Sequence, residues 1–261
     1  MEFKIIKKDR KKSYMSLGII VIITLVAMNI TKYDPILGFT SIPKAIFWAG
    51  SNFYPTVESL SKLPTIMSKM KETIFLSIAA TTTASFFAIF LSLFGSKTTN
   101  TNRVLSAIAR VIASIFRNIP DVVWAMILLF SFGQNAMTGY LALFFTTFGF
   151  LTRAFIETID EASSECVEAL EATGSNIFQT VSQAILPSSA PQLISWILFM
   201  IETNIRSATL IGLLTGTGIG FTFSMYYKGM NYNAASLALI FIVVSVLVIE
   251  IISNYIRRVI L

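Results

Sequence analysis

Glu168-Ala169-Leu170-Glu171-Ala172-Thr173-Gly174, running on to Ala184-Ile185-Leu186-Pro187, is a polar stretch set between long apolar runs. Its apolar and small residues recur at helical spacing in two groups: Ala162, Cys166, Ala169, Leu170 and Thr173, then Ile177, Phe178, Val181, Ala184 and Ile185. Gly174 sits between the groups, where a helix end calls for a left-handed residue; glycine supplies it because it has no Cβ to clash. Pro187 lacks an N–H and disfavours helical geometry in its predecessor, so it is expected to punctuate the second half. The reading is a bracket of two short helices, residues 160–187, held just outside a membrane.

The flanking runs decide the class. Of 261 residues, 54% are hydrophobic, with a mean hydropathy of +0.72, whereas soluble domains sit near about 45–50% apolar. The excess falls in runs long enough to cross roughly 30 Å of hydrocarbon as helix. The roughly ten-residue alternating strands of a membrane barrel are not seen. The expected fold class is all-α: a polytopic membrane protein with about six transmembrane helices. The single cysteine, Cys166, excludes an internal disulfide. There is no histidine, which removes the commonest metal ligand, the usual haem ligand and the commonest general base. Much of the net charge of +6 lies near the chain ends and beside the spans, which points to anionic lipid headgroups rather than nucleic acid.

Taken in order, Lys4, Lys7, Lys8, Arg10, Lys11 and Lys12 form a basic head before a first span at residues 14–30. That run is long for a signal peptide and no small-x-small site follows it, so it reads as a retained span with a basic, inside N-terminus. In residues 31–71, Pro35, Pro43, Pro55 and Pro64 suggest short amphipathic pieces at the outer surface. Lysines in this segment run against the positive-inside rule, which weakens as loops lengthen. Residues 73–94 form a second span rich in Thr, Ser and Ala, suited to close helix packing. Lys97 and Arg103 mark a cytoplasmic loop.

The third span, within 104–132, is expected to enter obliquely on a stripe of Val104, Leu105, Ile108, Val111, Ile112, Ile115 and Phe116. Pro120 breaks or bends it, with Asp121 in the inner half. Residues 137–156 form a fourth span. Arg153 and Glu157 can pair at i,i+4, and Thr158 with Glu161 has the capping-box spacing of a new helix. A fifth span, 188–214, carries Glu202, Asn204 and Arg206 inside an apolar run. A loop with Gly212, Gly216, Gly218 and Gly220 follows. A sixth span at 233–255 has Glu250 toward its inner end, and Arg257-Arg258 closes it. An even span count puts both termini in the cytoplasm. The chain thus divides into residues 1–72, a basic segment, first span and outer loop, and residues 73–261, a transmembrane domain carrying the bracket.

Glu202 and Arg206 are the most informative pair. A charge at membrane depth costs about 2.5–3.5 kcal/mol on insertion scales, and i,i+4 spacing stacks these two on one face. They are either an ion pair locking the bundle or, through the planar fork of Arg206, part of a path for an anion. The glycine loop is not a nucleotide site: it lacks the G-x-G-x-x-G register and follows a membrane helix. It reads as a tight turn and re-entrant bend at the outer face, with a gating role open. Asp160, Glu161, Glu165, Glu168 and Glu171 read as a solvated or docking face. Cys166 has no histidine to activate it. No enzyme constellation emerges.

The bracket resembles the cytoplasmic coupling loop of ATP-binding-cassette importer permeases, E-A-A, three residues, G, nine residues, I-x-L-P. Glu168, Ala169, Gly174, Leu186 and Pro187 match. Leu170 replaces the second alanine, and Ala184 stands at the isoleucine position with Ile185 one place late. Glu202, Asn204, Arg206, Ala208, Thr209 and Gly212, followed by Gly216, Gly218 and Gly220, resemble the phosphonate permease group within those importers, with Thr217-Gly218 where a paired glycine is often seen. Arg117, Pro120 and Asp121, with Ala125, resemble the group's R-x-I-P-D segment. Arg153 and Glu157 resemble a basic residue and a glutamate that the group carries before its coupling loop. The resemblance runs from about residue 73 to the end; the earlier residues resemble nothing beyond an extra leading span.

The resemblance implies a type I importer permease fold. It implies a translocation subunit for phosphonate or a related phosphorus oxyanion in the cytoplasmic membrane. The implied partners are ATPase subunits, a second permease copy or paralogue, and an extracytoplasmic solute-binding protein. ATP would be bound by the ATPase and no cofactor by this chain. Other readings are a permease for a methionine- or sulfonate-type solute and a structural subunit of a larger membrane complex. A further one is a stand-alone secondary transporter or channel, with Glu202, Arg206 and Glu250 as its coupling-ion candidates.

Overall fold

The computed structural model describes residues 2–99, 102–162 and 164–260, without the side chains of residues 2–13, 162, 164, 165 and 171. The side chains of the basic head and of Ala162, Glu165 and Glu171 in the bracket therefore lie outside the described residues. Among the described residues every regular element is helical. The chain falls into two compact units, Met1–Phe53 and Tyr54–Leu261.

In the first unit, α1 (Glu2–Thr31) carries an apolar stretch at Tyr14–Thr31. α2 (Pro35–Asn52) follows, capped by Asp34, whose Oδ1 accepts from the amides of Ile36 at 2.9 Å and Leu37 at 3.1 Å. The expected short pieces are corrected here. Pro35 opens the helix, where a missing N–H costs nothing, and Pro43 is carried inside it at the loss of one backbone hydrogen bond.

The second unit begins with α3 (Val57–Leu60), started by a reciprocal cap between Thr56 and Ser59. α4 (Leu63–Gly95) is 33 residues long and starts well before residue 73, because Pro64 stands in its first turn rather than breaking it. Its buried face is small: Ala80, Ala84 and Ala88 with Ser77, Thr81 and Ser85, while Phe86, Phe87, Phe90 and Phe94 are exposed. This reverses the soluble pattern. Lipid tails are as apolar as phenylalanine, so helices associate through small faces that let backbones approach.

α5 (Arg103–Asn118) repeats the arrangement. Ser106, Ala109 and Ala113 are buried, and Val104, Leu105, Ile108, Val111 and Ile115 of the apolar stripe are exposed. α6 (Asp121–Phe132) then leaves at 89°. Pro120 holds Ile119 extended, at φ −92° and ψ 118°. The oblique third span is thus two helices joined at a sharp corner. Among the described residues five helices are long and apolar enough to cross a membrane, and six spans result if the bent pair counts as one.

α7 (Ala136–Ala162) is the hub and packs against α4, α5, α6 and α10. No new helix starts at Thr158, since α7 runs through it. Thr158 is buried and its hydroxyl accepts from Trp196 Nε1 at 3.2 Å, so it is committed elsewhere. α8 (Ser164–Ala172) and α9 (Ile177–Thr180) follow, then a π-helical turn at Val181–Ile185 that leads directly into α10 (Leu186–Thr215). α11 (Gly218–Lys228) and α12 (Tyr232–Ile260) complete the fold, α11 packing against α10, α12 and α4. Three buried clusters lie along α7. Ala142 and Leu143 meet Ala80, Ala125 and Ile211; Leu151 and Phe155 meet Ala88, Leu193 and Met200; Ile159 meets Val167, Ala184 and Ile185 at the bracket end.

Candidate functional site

The bracket is closed by local chemistry. Gly174 has φ +81°, a left-handed turn that costs other L-residues about 1–2 kcal/mol. The Ser175 hydroxyl donates to the Leu170 carbonyl at 2.9 Å, covering the end of α8. Asn176 and Gln179 form a reciprocal cap at 3.0 and 2.9 Å and start α9. Val167, Ala184 and Ile185 face inward onto Ile159. Glu168, Ala169, Gly174 and Pro187 are exposed, as are Ile177 and Phe178, the latter 79% so.

Two details of the bracket differ from the sequence reading. Its second half is not a separate short helix, and Pro187 ends nothing: it lies in the first turn of α10. The Leu186 amide donates to the Val181 carbonyl five residues back, so the backbone is already widened where the proline follows. The extra residue in that turn buries Ala184 and Ile185 together. The late isoleucine therefore still reaches the core.

Asp160 links the bracket to the bundle. Its Oδ1 accepts from Ser96 Oγ at 2.5 Å and the Lys97 amide at 2.7 Å. Its Oδ2 lies 3.4 Å from Arg110 Nη2. Arg110 Nε and Ser106 Oγ both donate to the Gly95 carbonyl, at 2.9 and 3.0 Å. One carboxylate at the bracket end of α7 thus ties the end of α4 to α5. Against the expectation of a solvated or docking face, Asp160 faces inward and is partnered.

A second site lies half-way along α10, where Glu202 is about 24 Å by helical rise from the start of the helix and about 20 Å from its end. Glu202 is 7% exposed. Arg206 pairs with its Oε1, and Arg257 Nη2, from the last turn of α12, lies 3.3 Å from Oε2. Sequence reading placed Arg257 at the inner rim and gave no sign of this contact, which joins residues 55 positions apart. Asn204 is buried and faces the bundle, its Nδ2 donating to Thr81 Oγ1 at 2.8 Å and Thr147 Oγ1 at 2.7 Å. Ser77 Oγ donates to the Asn204 carbonyl at 3.2 Å. Polar links of this kind join helices where lipid offers no alternative partner.

The remaining sequence candidates stand apart from this cluster. Arg117 is exposed, its guanidinium 6.0 Å from the Phe150 ring centroid. Pro120 makes the α5–α6 corner, and Asp121 Oδ1 accepts from the adjacent Val122 amide at 2.8 Å. Arg153 pairs with Glu157 at 2.6 Å. Gly218 and Gly220 are buried at the opposite end of α10, where Thr73 Oγ1 accepts from the Ile219 amide at 2.9 Å. A Cβ on Gly220 would collide with the Thr209 carbonyl, so this glycine is there for close backbone approach.

Residues 84–261 match the family described as Binding-protein-dependent transport system inner membrane component. The chain belongs to that family. As an inner membrane component it is 26% identical over 190 residues to the phosphate-import permease protein PhnE of Mycolicibacterium smegmatis. That match covers 73% of this chain and 36% of the relative, so the chain spans little over a third of that relative's length. HtxC of Stutzerimonas stutzeri, named for phosphite transport, is 25% identical over 259 residues, 98% of this chain and 91% of its own. The methionine import system permease protein MetP of Bacillus subtilis is 26% identical over 169 residues, 61% of this chain and 75% of the relative. In fold, the chain is similar to the MetNI methionine ABC transporter, with a TM-score of 0.62 and 19% identity over 76% of this chain and 98% of that one. An amino acid ABC transporter gives a TM-score of 0.65 and 15% identity over 78% and 99%.

Proposed function

We propose that this chain is the translocation subunit of an ATP-driven importer carrying a phosphonate or related phosphorus oxyanion across the cytoplasmic membrane. The observation that carries the importer reading is the bracket, whose motif residues Glu168, Ala169, Gly174 and Pro187 are exposed while Asn176, Gln179, Val167 and Ile185 hold its shape. A surface built this way suits docking onto a separate ATPase, and ATP is bound there. The working assembly holds two permeases, two ATPases and an extracytoplasmic solute-binding protein, with both termini of this chain in the cytoplasm. Closure of the ATPase pair moves the bracket. Asp160 passes that motion to α4 and α5, and the path between permeases opens alternately to each side.

The solute class rests on relatives named for phosphate and phosphite transport and on Arg206, a half-exposed guanidinium at mid-helix whose fork suits an oxyanion. A methionine-type solute is the second reading, favoured by the MetP relative. Reconstitution in liposomes with the cognate ATPase and binding protein tests both. ATP-dependent uptake of phosphite or methylphosphonate that requires all three components is expected. Uptake by this chain alone, driven by an ion gradient, overturns the importer reading. Methionine uptake without phosphite uptake replaces the solute.

A further inference from the structure

Glu202 is shared by two arginines that are held differently. Arg257 is fixed from its own helix, donating from Nε to the Ser253 carbonyl at 3.4 Å and from Nη2 to Ser253 Oγ at 3.2 Å, while reaching Glu202 Oε2 at 3.3 Å. Its side chain is 25% exposed. The Arg206 side chain is 52% exposed, and its one hydrogen bond among the described residues is to Glu202 Oε1. A guanidinium has five N–H donors, so most of the Arg206 fork is unused. The cluster sets two cations against one carboxylate and is net positive.

This asymmetry solves a problem for any oxyanion that is to bind Arg206. Taking Arg206 away would leave a buried carboxylate unpaired, which is strongly unfavourable. Arg257 removes that penalty by keeping Glu202 paired on its other oxygen. We propose that Glu202 is an exchange carboxylate. An entering oxyanion displaces it from Arg206 and takes the guanidinium fork, Arg257 retains Glu202, and the original pair reforms when the anion leaves. Arg257 is then a positioning residue for oxyanion binding at Arg206. The exchange rests on the importer reading for its solute. It favours solutes carrying an anionic group over neutral ones, because only such a group replaces the carboxylate that Arg206 gives up.

The test uses the assembled transporter in proteoliposomes with ATP and phosphite-loaded binding protein. Arg257→Gln is expected to lower phosphite uptake about tenfold, with the ATPase still co-purifying. Arg257→Lys should recover part of the loss. Adding Glu202→Gln to Arg257→Gln should restore uptake, since no carboxylate is left to compete for Arg206. Uptake by Arg257→Gln within about twofold of wild type, a size of effect that surface pairs give, overturns the exchange. So does failure of Arg257→Gln to assemble, which marks a structural clamp, or failure of Glu202→Gln to rescue.

Arg206→Gln with full uptake overturns the exchange while leaving the importer reading intact. A wild-type assembly without ATP-dependent phosphite uptake overturns the solute reading instead. Infrared difference spectra of the purified chain in nanodiscs read Glu202 without transport. Phosphite should shift a carboxylate band that Glu202→Gln abolishes, and absence of that band overturns the exchange by itself.

Discussion

The bracket and the mid-bundle site differ in where their partners lie. In the bracket, apart from Gly174 at the turn, the residues that fold it (Asn176, Gln179, Ile185) are not the ones that match the motif. Glu168, Ala169, Gly174 and Pro187 are left on the surface. Asn204 and Glu202 are themselves buried, and α4, α7 and α12 supply their partners, with only Arg206 of this group half-exposed. One region is shaped to be met from outside the chain and the other to be completed within it. Asp160 stands between them, at the bracket end but with partners inside. Substitutions should therefore separate into losses of association and losses of stability.

The largest expected effect breaks the first region without touching the second. A Cβ on Gly174 meets nothing within 4 Å among the described residues, and aspartate is among the residues that tolerate the left-handed region. Gly174→Asp should leave insertion intact and cost about 1 kcal/mol of thermal stability, the lower end for a left-handed residue. A carboxylate placed in a docking surface should nevertheless cost about 2–4 kcal/mol of ATPase binding, the scale of an interface hot spot. That is about 30-fold weaker or more. Co-purification with the ATPase, titrated in detergent, reads the loss directly. Association at wild-type affinity would mean that the exposed motif face is not the docking face.

The two regions also differ in what the sequence discloses. The bracket was legible because its signals are local: helical spacing on both sides of a glycine whose left-handed turn only short contacts decide. The spans were legible because hydropathy is a property of a run, and the family match covers 84–261. Proline was the weak point. Pro35, Pro64 and Pro187 all stand in first turns, where they start helices, and sequence alone reads them equally well as breaks. Pro120 was read as a bend, but its 89° angle depends on how α6 packs against α7. Asp160 looked like its neighbours because helix phase relative to α4 and α5 is tertiary information. The Arg257–Glu202 contact joins residues 55 apart, which no spacing rule reaches.

Asp160 sharpens the comparison from the middle. Asp160→Ala strands Ser96 Oγ, the Lys97 amide and one side of Arg110. Hydrogen bonds to a charged group contribute about 1.5–3 kcal/mol, so a loss of about 2–3 kcal/mol is expected, read by thermal unfolding in detergent. Asp160→Asn keeps an acceptor for Ser96 and Lys97 and gives up mainly the Arg110 contact at 3.4 Å, so most of the stability should return. If both variants lose stability equally, the ion pair to Arg110 matters more than the cap on the α4 end.

The smallest effect is expected at a deeply buried polar residue, which at first looks paradoxical. Asn204 is 3% exposed and joins Thr81 and Thr147 from two other helices. In a membrane, however, the alternative state also finds hydrogen-bond partners, and interhelical hydrogen bonds contribute only about 0.6–1.7 kcal/mol. Thr81 keeps a bond of its own to the Ser77 carbonyl at 2.7 Å whatever happens to Asn204. Asn204→Leu, close in volume and free of polar atoms, should therefore cost about 1 kcal/mol in thermal unfolding and leave ATPase association unchanged. Thr81→Val should add little in the Asn204→Leu background, because its bond to Asn204 is already gone and only the bond within its own helix, to the Ser77 carbonyl, is left to lose. A loss several times larger would mean that Asn204 fixes the relative height of α4, α7 and α10. Burial would then be a better guide to importance here than the bond energies of membrane helices imply.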